Sequence, residues 1–198
     1  IISTRGKRGN KRHKIFGGIM GIINYRLEKN FLSKEELKVY GQYAEFFHRN
    51  NFKDFDTAQS SIMDSAIYAD SLMESILLCK REKLEKIVGE ELLPTYSFLR
   101  VYTKGAELTK HTDRPSCEIS VTLNLKDSGE DWALYFAGTP VVTKPGDAII
   151  YKGIEVEHWR EKFTGDFQAQ VFLHYVRKEG KYNAFHKDMR RYFATKKV

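Results

Sequence analysis

The spacing of apolar residues changes period near the middle of this chain, and the change divides it. Leu37, Tyr40, Ala44 and Phe47 recur at helical spacing and predict a helix over 34–49. Ser33-Lys-Glu-Glu36 before them is a capping box, in which hydroxyl and carboxylate satisfy helix-end amides reciprocally. Asp56 is placed to cap a second helix near 57–68. A third is expected over about 70–88, where Leu72, Ile76, Leu77, Leu84 and Ile87 form a stripe that Gly89 stops.

From Pro94 the period becomes two. Tyr96, Phe98, Arg100 and Tyr102 alternate with Ser97, Leu99 and Val101. Between Cys117 and Leu125, Ile119, Val121, Leu123 and Leu125 take one face, and Glu118, Ser120, Thr122 and Asn124 take the other. Short strands are expected at Trp132–Phe136, Pro140–Thr143, Ala148–Tyr151, Ile154–His158 and Phe167–Val176, separated by Gly- and Pro-containing turns. Ile15–Tyr25, rich in glycine and β-branched residues, reads as an irregular arm or edge strand. A helical block followed by many short strands predicts a mainly β fold: a two-sheet jelly roll buttressed by N-terminal helices.

Within this frame lies Lys110-His111-Thr112-Asp113-Arg114. Residues i and i+2 of a strand point the same way, so His111 and Asp113 can reach one metal ion. His158, at the end of a later strand, is the candidate third ligand. Two histidines and a carboxylate on one face, with other positions open, suit non-haem Fe(II) that activates O2.

Composition narrows the setting. At 198 residues, one domain with a sizeable core is expected. No run of 18 apolar residues occurs, residues 1–30 lack the apolar core of a signal peptide, and two cysteines fit a reducing compartment. The expectation is a cytoplasmic protein without membrane partners; the sequence does not fix its oligomeric state. The net charge of +7 concentrates at the ends, in Arg5, Lys7, Arg8, Lys11, Arg12 and Lys14 and in Lys187, Arg190, Arg191, Lys196 and Lys197. Such charge could attract nucleic acid. Without a reading motif, a solvated tail is the favoured reading.

The run Arg100-Val-Tyr102-Thr-Lys-Gly105, then His111-Thr-Asp113, then Pro145-Gly-Asp147-Ala-Ile-Ile-Tyr151, then His158, resembles the Fe(II)/2-oxoglutarate-dependent dioxygenases, in particular their prolyl 4-hydroxylase-like branch. The resemblance covers residues 94–176 and implies a double-stranded β-helix core there. Residues 1–30 then form a basic arm ahead of a single oxygenase domain over 31–198, with helical support over 31–90 and a basic segment over 177–198. It also implies Fe(II) at His111, Asp113 and His158, with 2-oxoglutarate and O2 as co-substrates and ascorbate as a candidate reductant. The implied reaction is hydroxylation of a C–H bond in a prolyl residue of a peptide or protein, or in a related amino acid, with 2-oxoglutarate decarboxylated to succinate and CO2. Alternatives are a nucleic-acid oxidative demethylase and a non-catalytic metal-binding module.

By the same resemblance, Tyr102 matches the tyrosine that meets the distal carboxylate of 2-oxoglutarate. The position where the family places Lys or Arg for that carboxylate is Gln168, and an amide cannot supply a charge-assisted contact. Arg160, two residues beyond His158, is the nearest replacement by strand alternation. Gln168 and Gln170 share a face and can add amide hydrogen bonds, whereas Lys152 and Arg114 are weaker cations for the role. Arg114 and Tyr151 are candidate substrate contacts, and His174 is expected to be a core histidine near the pocket.

Overall fold

A computed structural model describes residues 24–51 and 64–195 of the chain. Residues 1–23 of the predicted basic arm over 1–30, most of the 15–25 segment, and the Asp56 cap lie outside the described residues.

Among the described residues two antiparallel sheets face each other. The larger holds β1 (Tyr25–Glu28), β2 (Asp64–Tyr68), β3 (Leu92–Thr103), β5 (Ile119–Asp127), β8 (Ala148–Tyr151) and β10 (Phe167–Arg177), in the order β1-β8-β5-β10-β3-β2. The smaller runs β4 (Leu108–His111), β9 (His158–Arg160), β6 (Leu134–Phe136) and β7 (Thr139–Val141). This is the jelly-roll architecture expected of the sequence.

Among the described residues two helices back the larger sheet. In α1 (Lys34–Asn51) the capping box closes as predicted, with Ser33 N donating to Glu36 Oε2 at 2.9 Å and Glu36 N to Ser33 Oγ at 3.2 Å. In α2 (Ser71–Val88) the Asp70 carboxylate accepts from the amides of Leu72 and Met73, and Gly89 ends the helix at φ 83°. Only glycine takes that left-handed conformation without cost. Ile76, Leu77 and Leu84 of α2 pack with Leu99, Val101, Val121, Leu123, Val171 and Leu173 in the main apolar core.

Three expectations change. Residues 64–68 are strand β2, not the end of a helix, because every residue pairs with β3, from Asp64 opposite Tyr102 to Tyr68 opposite Phe98. The predicted support region therefore adds a strand to the sheet, as does β1, which pairs with β8 through Tyr25 opposite Tyr151. The predicted strand Ile154–His158 is a turn, closed by Glu155 N and Val156 N on the Lys152 carbonyl, and the strand begins only at His158. The basic C-terminal segment forms short 3-10 turns within Asn183–Met189, broken by a kink at His186, Lys187 and Asp188. Among the described residues no helix is long and apolar enough to cross a membrane.

Candidate metal centre and its cavity

Strand pairing brings the H-x-D segment to the distal histidine. β4 runs antiparallel to β9 with His111 opposite His158. Beyond His111 the chain leaves the sheet, and Asp113 is held by its backbone N–H on the Gly153 carbonyl at 2.8 Å. Asp113 Oδ1 lies 3.6 Å from Nε2 of both His111 and His158. The histidine rings are 4.3 Å apart between centroids.

Both imidazoles have a hydrogen-bonded Nδ1. That of His111 meets the Thr109 carbonyl at 2.7 Å, and that of His158 meets the Val156 carbonyl at 2.9 Å. A carbonyl only accepts, so Nδ1 carries the proton and the Nε2 lone pair remains for a metal. The carboxylate and two Nε2 atoms form the donor set of a divalent transition metal with open positions. Burial favours the neutral form of His158 and holds its pKa below the usual value. Burial opposes the charge of Asp113 as well, but the surrounding histidines outweigh it and keep its pKa low. For His111, burial is outweighed by the Asp113 carboxylate and the Thr109 carbonyl, which raise its pKa.

The three donors line a cavity of about 470 Å³ with Tyr68, Tyr96, Phe98, Arg100, Tyr102, Arg114, Tyr151, Phe172 and His174. Tyr151 packs edge-on against His158 at 4.9 Å. Arg114 is tied bidentately to Asp188 at 2.8 and 2.9 Å and lies over the Tyr96 ring. Arg160, Gln168 and Gln170 are buried but lie outside this lining. Arg160 Nη1 donates to the Trp132 carbonyl at 2.7 Å, and its guanidinium lies 4.3 Å over the Trp132 ring. Tyr102 meets that same tryptophan edge-on at 5.0 Å. Among the described residues Arg160 has no carboxylate partner; its Nε, Gln168 Oε1 and both amide atoms of Gln170 lack hydrogen bonds. Burial lowers the Arg160 pKa to about 10. Lys152 points away, pairing with Glu155.

Sequence reasoning missed two contributors. Arg100, 2% exposed, lines the cavity from the Tyr102 face of β3; a cation inside an apolar strand was the available signal. Gly153 packs so tightly that an added Cβ would collide with Asp113 Oδ2, the Cys117 carbonyl and Ser120 Oγ. Only proximity in space reveals that requirement.

No protein-family model matches the chain, and comparison with curated proteins finds no relative by sequence. Solved structures do match. A prolyl-4-hydroxylase from Pseudomonas putida superposes with a TM-score of 0.60 at 15% identity, covering 78% of this chain and 92% of that one. The viral collagen prolyl hydroxylase of Paramecium Bursaria Chlorella virus-1, in complex with 2OG, gives 0.59 at 14%, covering 77% and 95%. The non-heme alpha ketoglutarate dependent carbocyclase SnoK of nogalamycin biosynthesis gives 0.64 at 12%, covering 78% and 79%. At these identities the similarity establishes a shared fold, the double-stranded β-helix.

Proposed function

We propose that the protein is an Fe(II)- and 2-oxoglutarate-dependent oxygenase that hydroxylates a C–H bond, with a prolyl residue of a peptide or a related amino acid as substrate. The observation that carries this reading is the convergence of His111 Nε2, Asp113 Oδ1 and His158 Nε2 on the wall of a cavity, with both Nδ1 protons engaged by backbone. Bound iron would supply activation of O2, the oxidant, one oxygen atom entering the hydroxylated substrate and the other the succinate formed, with CO2, from 2-oxoglutarate.

The chain's own part is geometric. His111, Asp113 and His158 hold the metal from one side and leave the cavity side open to ligands. The rings of Tyr68, Tyr96, Phe98 and Phe172 give the cavity apolar surface that suits a pyrrolidine ring. Arg160 is the proposed partner of the distal carboxylate of 2-oxoglutarate, with Tyr102, Gln168 and Gln170 as hydrogen-bonding neighbours. A buried cation without an anionic partner is unfavourable, and a carboxylate ligand removes that penalty. Arg114 and Tyr151 are the proposed substrate contacts. The prolyl assignment draws on the fold shared with prolyl hydroxylases and on that apolar surface.

The test is succinate release from 2-oxoglutarate by the iron-loaded protein, with and without proline-containing peptides and free amino acids. Asp113→Ala is expected to lose iron and turnover while keeping its circular dichroism spectrum. Full iron occupancy and activity in that variant would refute the assignment. A folded, iron-loaded wild type that never releases succinate would point to a binding module.

A further inference from the structure

A second group of metal-binding residue types adjoins the proposed centre: Asp113, Cys117 and His174, whose donor atoms lie within 4.8 Å of one another. The hydrogen bonds decide what this group does. Ser120 Oγ stands among them, 3.1 Å from Asp113 Oδ2, 2.9 Å from His174 Nδ1 and 3.1 Å from the Cys117 carbonyl. The thiol of Cys117 is engaged elsewhere, 3.1 Å from the Tyr96 hydroxyl. The space a second ion would need is therefore taken by a hydroxyl, and the donors already have partners.

A serine hydroxyl has one proton and a carboxylate has none to give. The charge-assisted bond to Asp113 is the stronger use of that proton. The Ser120 oxygen then accepts from His174, so the imidazole carries its proton on Nδ1. The order is His174 to Ser120 to Asp113, ending on Oδ2. The other oxygen, Oδ1, is the one 3.6 Å from both ligand histidines. Gly153 closes the far side of this arrangement, leaving no room for a Cβ beside Oδ2.

We infer that Ser120 and His174 are positioning residues that hold Asp113 in a one-oxygen orientation toward the metal. Strand register makes the device possible: Ser120 on β5 lies directly opposite His174 on β10. The inference rests on the proposed ligand triad and adds to it two residues from the other sheet.

Cobalt(II), which binds such sites without O2 turnover, is the probe. Titration should give one tight site in the wild type. Ser120→Ala and His174→Phe should each bind about 10- to 100-fold more weakly, as loss of outer partners of ligands typically does. Their visible cobalt spectra should shift as Asp113 turns toward two-oxygen binding. His174→Asn, which places an amide N–H near the lost Nδ1, should recover part of the affinity. Wild-type affinity and an unchanged spectrum in Ser120→Ala and His174→Phe, with binding lost in His111→Ala, would overturn the positioning role and leave the triad standing. Retained binding in His111→Ala would overturn both. So would a thiolate-to-cobalt charge-transfer band in the wild type that Cys117→Ser abolishes, because the metal would then sit on the second group. Should His174→Phe fail to fold, Ser120→Ala decides alone, since it removes a single atom.

Discussion

The two faces of the larger sheet are built from the same strands and carry opposite chemistry. On β5, Ile119, Val121, Leu123 and Leu125 turn to the helices, while Ser120, Thr122 and Asn124 turn to the second sheet, and all seven are buried. On β10, Ala169, Val171 and Leu173 alternate in the same way with Gln168, Gln170 and His174. The helix-backed face gains from burial in proportion to area and needs no particular partner. Each polar group on the inner face needs one, because an unsatisfied buried donor or acceptor costs about 1–3 kcal/mol. Strand parity thus separates what holds the fold from what serves the site. Substitutions on one face should be read in stability and those on the other in ligand binding.

The largest expected effect that sharpens this contrast is at Arg160. The only hydrogen bond of its guanidinium among the described residues is to the Trp132 carbonyl, and its Nε is unmatched. Removing one partner of a buried ion pair typically costs about 3–5 kcal/mol. Arg160→Ala should therefore weaken 2-oxoglutarate binding by at least two orders of magnitude and spare Fe(II). Arg160→Lys should recover only part, because the fork geometry is lost. Anaerobic titration of co-substrate into the iron-loaded variants measures this. Unchanged affinity in Arg160→Ala, with a large loss in Arg100→Ala, would move the role to the arginine that lines the cavity.

The opposite face predicts the opposite phenotype. Ile76 on α2 is 1% exposed within the main core. Ile76→Ala should cost about 2–5 kcal/mol in chemical denaturation, by lost burial and a residual cavity. Affinity of the folded fraction for iron and 2-oxoglutarate should stay within twofold. A selective loss of ligand binding without a loss of stability would break the division between the faces.

How far this division could be read from sequence depended on whether its causes were local. The alternation of β5, the capping box at Ser33–Glu36 and the Gly89 stop of α2 are set by neighbours in sequence, and the structure holds each. The pairing of His111 with His158 was legible because β4 and β9 place them by simple strand geometry, whereas Asp113 lies beyond the end of β4 and is placed by its amide on the Gly153 carbonyl. β2 was not legible. Asp64-Ser-Ala-Ile-Tyr68 shows no alternation, and its conformation is fixed by β3, 38 residues on at the Asp64–Tyr102 pair. Gly153 and Ser120 matter through contacts with Asp113 that no spacing rule reveals. The turn at Lys152–Val156 replaced a predicted strand for the same reason: the Gly153 carbonyl is required by the Asp113 amide.

The smallest effect concerns Asp147, which the Pro-Gly-Asp signature marks without saying why. Its carboxylate accepts from Asn30 N at 3.0 Å, Lys144 N at 3.1 Å and Lys29 Nζ at 2.9 Å, tying the end of β1 to the turn before β8. Burial would raise its pKa, but the Lys29 ammonium and the two amides outweigh that and hold it below the usual value. A carboxylate whose pKa is lowered by folding stabilises the native state above its unfolded pKa, about 3.9, and loses that contribution as pH falls through the lower folded value. Lys29 is largely exposed, so its share is modest; the backbone bonds carry the rest. Asp147→Asn should cost about 1–2 kcal/mol near pH 7. The wild-type advantage should hold down to about pH 5 and shrink below about pH 4. Urea unfolding of both proteins across that range isolates the term, since other carboxylates titrate alike in each. A difference that stays constant to pH 3 would assign the effect to the shape of the turn rather than to charge, whereas convergence at low pH would place Asp147 with the residues that hold the fold, outside the metal's reach.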